Sequence, residues 1–173
     1  MNSLALEIWD DEGSECTFYT VRVDDSKENE TDKFFNRHDK IKGLENATQE
    51  LLIYVLKTIG EDHGAKDELF NRPENEVKGL PNKGKIKVKE FEYYYPDFPL
   101  RLYAIKIREN LVVLFNGGIK DGDTNQTSSC NSQWRNACAY ARKIDRAIVD
   151  GMIIIDERNR KILDYTGSEE IVL

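Results

Sequence analysis

The hydrophobic pattern of this chain changes period once in its centre, and that change limits the folds open to it. From Leu44 to Ile59, the residues Leu44, Thr48, Leu51, Leu52, Val55 and Ile59 recur at three-and-four spacing, which predicts a helix with one buried face and a stop at Gly60. From Lys85 the period is two. Lys85, Lys87, Lys89, Phe91, Tyr93 and Tyr95 alternate with Ile86, Val88, Glu90, Glu92 and Tyr94, as along a single strand. Two more strands are predicted, Leu100–Arg108 and Leu111–Phe115, joined by a tight Glu109-Asn110 turn and ended by Asn116-Gly117-Gly118. A helix followed by three sequential antiparallel strands makes the expected fold class α+β.

The flanks add elements of the same kinds. Leu4, Leu6 and Ile8 alternate with Ala5, Glu7 and Trp9, and Thr17–Val23 alternates again after an acidic turn, which predicts an N-terminal β-hairpin. Glu30–Arg37 reads as a short helix packed by Phe34 and Phe35. Asp62–Pro81 is polar, with one helical turn at Ala65–Phe70, closed by Asn71-Arg72-Pro73, and an extended arm reaching Gly79-Leu80-Pro81. After a polar loop from Lys120 to Ser132, the residues Trp134, Ala137, Cys138, Ala141, Ile144 and Ile148 predict a helix over Ser132–Asp150 with Gly151 as its stop. Arg135, Arg142 and Arg146 share the opposite side of that helix. Met152–Asp156 and Lys161–Asp164 predict a terminal hairpin. The expected organisation is one domain over 1–173: an acidic hairpin and connection at 1–43, a core at 44–150, and a C-terminal hairpin and tail at 151–173.

At 173 residues with 39% hydrophobic and 33% charged side chains, the chain suits one globular domain and excludes a fibrous or low-complexity protein. No apolar run approaches the ~18 residues of a spanning helix, and the N-terminus has no secretory pattern, so the expected location is the cytoplasm, away from membranes. Cys16, Cys130 and Cys138 are too irregularly spaced for a disulfide framework and read as reduced thiols. His38 and His63 lie in polar, turn-like sequence without partners at metal spacing and read as surface or loop side chains; no metal and no cofactor is expected. The net charge of -7 is uneven. Residues 1–40 hold eleven acids against five bases, whereas Lys85–Lys120 holds seven bases against four acids and Ser132–Val149 four against one. Any surface that meets an anion must therefore come from the central strands and the last helix.

No phosphate loop, nucleophile elbow, zinc-protease or calcium-loop motif is present. The informative pattern is basic and aromatic. Lys85, Lys87 and Lys89 suit phosphates, rings such as Tyr93 suit unpaired bases, and Arg101, Lys106 and Arg108 add charge on the next strand. A solvated edge strand whose lysines discourage aggregation is the competing reading.

Taken in order, the helix, the Gly-Ala-Lys-Asp-Glu-Leu-Phe-Asn-Arg-Pro arm, Gly-Leu-Pro, the Lys85–Tyr94 strand, Leu100-Arg101-Leu102-Tyr103, Asn110–Phe115, Gly117-Gly118-Ile119-Lys120 and the alanine-bearing helix resemble the RelE/HigB-type toxins of bacterial toxin–antitoxin pairs, including phage-derived relatives. The resemblance covers about residues 44–150. It implies helices packed on a curved antiparallel sheet, metal-free endoribonuclease cleavage of mRNA, commonly on the ribosome, and neutralisation by an antitoxin-like protein. It implies a phosphate-stabilising role for Arg101, acid/base work for Tyr103 or a residue of the Tyr93-Tyr94-Tyr95 run, and a basic role for Lys120. Lys85, Lys87, Lys89, Tyr93 and Arg108 would then bind RNA, and Arg135, Arg142 and Arg146 a partner. Asp121, Glu90, Glu92 and the overall acid excess depart from the family pattern and leave a catalytically silent protein-binding module, or an accessory protein of a mobile element, as the alternative.

Overall fold

Alternating sequence at the N-terminus forms β1 (Leu4–Asp10) and β2 (Thr17–Val23), an antiparallel hairpin in the computed structural model, which describes residues 3–121 and 130–173. Next comes α1 (Glu30–Asp39), as expected; Asn29 caps it by accepting a hydrogen bond from the Asp32 amide at 2.8 Å, and acids occupy its first turn. The expected helix from Leu44 begins as α2 (Glu45–Ile53) and continues as ten residues of wider π-helix, Tyr54–His63. Its stop is Gly64, at φ 77°, and not Gly60. The Gly60 carbonyl instead accepts the Glu15 and Cys16 amides at 2.8 and 3.2 Å, which docks the β1–β2 connection onto the helix.

The polar arm is structured further than its sequence suggests. A 3-10 turn at Asp67–Phe70 leads into β3 (Pro73–Glu74) and β4 (Val77–Leu80), and β4 joins the main sheet. Lys85–Tyr95 is not one strand. It forms β5 (Lys85–Val88) and β6 (Phe91–Tyr94), a separate hairpin that turns at Lys89-Glu90 with Lys89 at φ 56°. The neighbour of β7 (Leu100–Arg108) is therefore β4 on one side and, as expected, β8 on the other. β8 spans Leu111–Ile119, continuing through Gly117 and Gly118 where an ending was expected. The last helix, α3 (Asn131–Val149), and the hairpin of β9 (Ile153–Asp156) and β10 (Lys161–Asp164) follow the sequence reading closely, with Gly151 at φ 72° after the helix. A final short strand, β11 (Ile171–Val172), pairs with β1. Residues 122–129 of the expected Lys120–Ser132 loop lie outside the described residues.

The seven-stranded sheet has the order β11-β1-β2-β8-β7-β4-β3. It is mixed, since β2 runs parallel to β8, and this corrects the expected antiparallel sheet. Sequence-distant strands thus share one sheet, which spans all three of the expected segments, 1–43, 44–150 and 151–173. Both faces are covered. Leu100, Leu102, Ala104, Val112 and Leu114 pack with Phe34, Phe35 and Leu51 under α1 and α2; Tyr103, Ile105, Val113 and Phe115 pack with Ala141 and Ile144 under α3. Double coverage explains why β7 and β8 read as nearly continuous apolar runs. No helix among the described residues is long and apolar enough to cross a membrane. All three cysteines are buried, and none is in a disulfide among the described residues.

Candidate functional site

The β7–β8 ladder places Arg101 opposite Gly118, and Leu100 opposite Ile119, at the end of the sheet where β8 runs out. Lys120 closes this end, its amide donating to the Pro99 carbonyl at 2.7 Å, and its ammonium belongs to a half-buried residue. The structure thus brings Arg101 and Tyr103 to one region of β7 and puts the Lys120 backbone beside Pro99 at the same end of the sheet.

Arg101 is only 7% exposed. One terminal nitrogen donates to the Phe98 and Leu100 carbonyls at 3.1 and 2.9 Å, while Nε is buried without a partner. Burial, and then the field of Arg72, push its pKa down to about 10. Arg72 is the functional candidate that sequence reasoning missed. It stands just before β3, and the pairing of β4 with β7 folds it over Gly79. A Cβ on Gly79 would lie 2.9 Å from Arg72 Cδ and 3.6 Å from Arg101 Cδ, so the glycine makes room for both arginine stems. Arg72 donates to the Pro81 and Asn82 carbonyls, both at 3.3 Å, and burial lowers its pKa as well. Neither arginine forms a salt bridge among the described residues. Two half-desolvated guanidinium groups side by side are costly unless an anion meets them.

Tyr103 is placed differently from a solvent-facing acid or base. It is fully buried under α3, with its hydroxyl 3.1 Å from the Cys130 sulfur. Arg101 does lower its pKa, but burial and the Cys130 contact outweigh that and drive it far above the ordinary phenol value. The phenol stays protonated at neutral pH.

The remaining expected residues are not brought to Arg101. On the β5–β6 hairpin the registers Lys85↔Tyr94 and Lys87↔Glu92 put these four on one face, with Ile86, Val88, Phe91 and Tyr93 on the other. Lys85 sits 5.5 Å from the centre of the Tyr94 ring, a cation–π contact, and Lys89 occupies the turn. Tyr93 and Tyr95 turn inward: the Tyr93 hydroxyl is 2.7 Å from His63 Nε2, and Tyr95 packs on Tyr54 and Phe98. Phe91 and Tyr94 are the exposed rings. Arg108 lies at the far end of β7, paired with Glu157 at 3.2 Å. On α3, Arg135, Arg142 and Arg146 are all exposed; Arg142 pairs with Glu76, Arg146 with Asp150 at 2.9 Å, and Arg135 forms no salt bridge among the described residues.

Both histidines correct their expected exposure. His38 is buried on α1, where Nδ1 donates to the Phe34 carbonyl at 2.8 Å, and His63 is buried at the end of the π-helix. No group of three metal-ligating side chains occurs among the described residues. Compared with protein-family models, curated proteins and solved structures, the chain matches none.

Proposed function

We propose that the protein is a toxin of the RelE/HigB type, an endoribonuclease acting on mRNA, in which Arg101 and Arg72 together hold a backbone phosphate. The observation that supports this is the arginine pair itself: two neighbouring guanidinium groups, one with an unpartnered buried Nε, and neither in a salt bridge among the described residues, although the field of the Glu74 carboxylate reaches both. When the ribose 2′-oxygen attacks phosphorus, negative charge grows on the phosphoryl oxygens, and donors already desolvated there stabilise that charge more than water does. Lys120 adds a third cation at the same end of the sheet. With Tyr103 closed off, this centre supplies charge stabilisation without a proton-transfer phenol, so activity on the ribosome, where other groups can carry protons, is the expected behaviour.

Induced expression in a bacterial host tests this reading. The wild type should arrest growth and cleave translated mRNA, while Arg101→Ala and Arg72→Ala, each shown to be folded by circular dichroism, should relieve the arrest. Equal arrest by all three, or none by the wild type, would overturn it.

The burial of Tyr103 also favours a second reading, a silent member of the fold that binds an antitoxin-like or other protein. RNA binding through several cations weakens steeply with salt, whereas an apolar protein interface does not. Undetectable RNA affinity at low salt would therefore favour the second reading. Of the three α3 arginines, Arg135 is the one whose reversal to Glu breaks no salt bridge seen here, so it is the cleanest probe of a partner on that face.

A further inference from the structure

At the end of the sheet opposite Arg101, four segments converge: the β1–β2 connection at Glu15, the end of the π-helix at His63, the β7–β8 turn at Asn110 and the β9–β10 turn at Arg158. They enclose a cleft of about 590 Å³, within the size range of small-molecule sites. Its walls are fixed by backbone bonds, Ala65 N to Glu109 O at 2.7 Å and Thr17 N to Asn110 O at 3.0 Å. A ten-residue π-helix ends at it, and wide helical turns of this kind occur disproportionately at functional sites.

Two polar atoms in this cleft's lining residues are buried without partners. The Tyr93 hydroxyl lies 2.7 Å from His63 Nε2, and with Tyr93 as the donor its proton sits on that contact. In that arrangement the imidazole, which burial keeps neutral, carries its N–H at Nδ1, the unpartnered atom. Asn110 spends Nδ2 on the Glu157 carbonyl at 3.1 Å, and its Oδ1 is the second unpartnered atom. An orphaned buried polar atom costs ~1–3 kcal/mol, so one donor and one acceptor at a single cleft are informative. A donor and an acceptor in the lining of one cleft match the two kinds of group that a nucleobase amide edge presents. Glu15 and Arg158, which form no salt bridge among the described residues, add a carboxylate suited to ribose hydroxyls and a guanidinium suited to phosphate.

We propose that this cleft binds a mononucleotide, with the base edge on His63 Nδ1 and Asn110 Oδ1, the ribose hydroxyls at Glu15 and the phosphate at Arg158. The site is separate from the Arg72–Arg101 pair and does not depend on the function read from it. Titration of the full chain with each of the four ribonucleoside 5′-monophosphates, followed by amide NMR, tests it. At least one should give saturable shifts at His63, Gly64 and the Asn110 side chain with Kd below about 1 mM, and Arg158→Gln, at an exposed position, should weaken it about fivefold. The proposal fails if no nucleotide gives saturable shifts at these residues by about 10 mM, if inorganic phosphate or ribose 5-phosphate reproduces them at equal strength, or if the shifts gather at Arg101 instead.

Discussion

At Gly117 the backbone leaves no room for a side chain. A Cβ there would lie 1.8 Å from the Arg101 carbonyl oxygen, a backbone atom that cannot yield without parting β7 from β8. Gly117→Ala should therefore cost about 3 kcal/mol or more in urea unfolding. Gly118→Ala should cost less, because its nearest obstacle, at 2.7 Å, is the Cys130 Cβ. The histidines add a pH dependence. Burial lowers the pKa of His38, and also that of His63. Each imidazole takes up its proton more readily in the unfolded chain, where the pKa is ~6.5, so the stability it contributes is complete above that value and is lost as pH falls from there toward the lower folded pKa. Urea midpoints should drop between about pH 7 and pH 5, and His38→Gln should flatten that slope. An unchanged slope would show that carboxylates govern the acid limb.

The β5–β6 hairpin shows how an element can escape a sequence reading. A two-residue turn of this kind is signalled by Gly or Asn, and here Lys89 takes the left-handed position, so the alternating run gave no sign of reversal. Lys89→Asn should raise stability by about 0.5 kcal/mol by easing that conformation, while Lys89→Val should lower it by about 1–2 kcal/mol. No difference between the two in urea midpoint would mean that the turn relaxes in solution. The same limit applied to β4, where four residues including Gly79 are too few to show a period. By contrast α1, α3 and the three hairpins β1–β2, β7–β8 and β9–β10 were legible, because each is a local pattern of apolar spacing with its own stop. Arg101 and Lys120 were singled out through the family resemblance and not through the hairpin, because β8 was expected to end before Gly117. Arg72 and the His63–Asn110 cleft were not legible, since they depend on contacts between segments far apart in sequence. His38 was misread for a related reason: polar neighbours on either side do not reveal that α1 turns its ring toward Phe34.

A mixed seven-stranded sheet has two edges, and this molecule protects them differently. On one side β3 is two residues long and begins with Pro73, which cannot donate to an added strand. On the other, β1 is seven residues of alternating apolar sequence, a template for self-pairing, and β11 covers part of it. The Leu4 amide donates to the Leu173 carbonyl at 3.0 Å, the Leu173 amide returns a bond to Leu4 at 2.8 Å, and Ile171 is 3% exposed. Deleting residues 171–173 should therefore do two things at once. It should destabilise the fold by about 2–3 kcal/mol through the lost burial of Ile171, and it should free the β1 edge to pair with a second copy. Sedimentation velocity should show self-association rising with protein concentration in the deletion variant more than in the full chain. Replacing Ala5 with Lys in the deleted chain should reverse the self-association without restoring stability, because a charge on an open edge discourages pairing but fills no core. A deletion variant that associates no more than the full chain would show that β11 contributes packing alone, and that the acid-rich surface keeps copies apart without it.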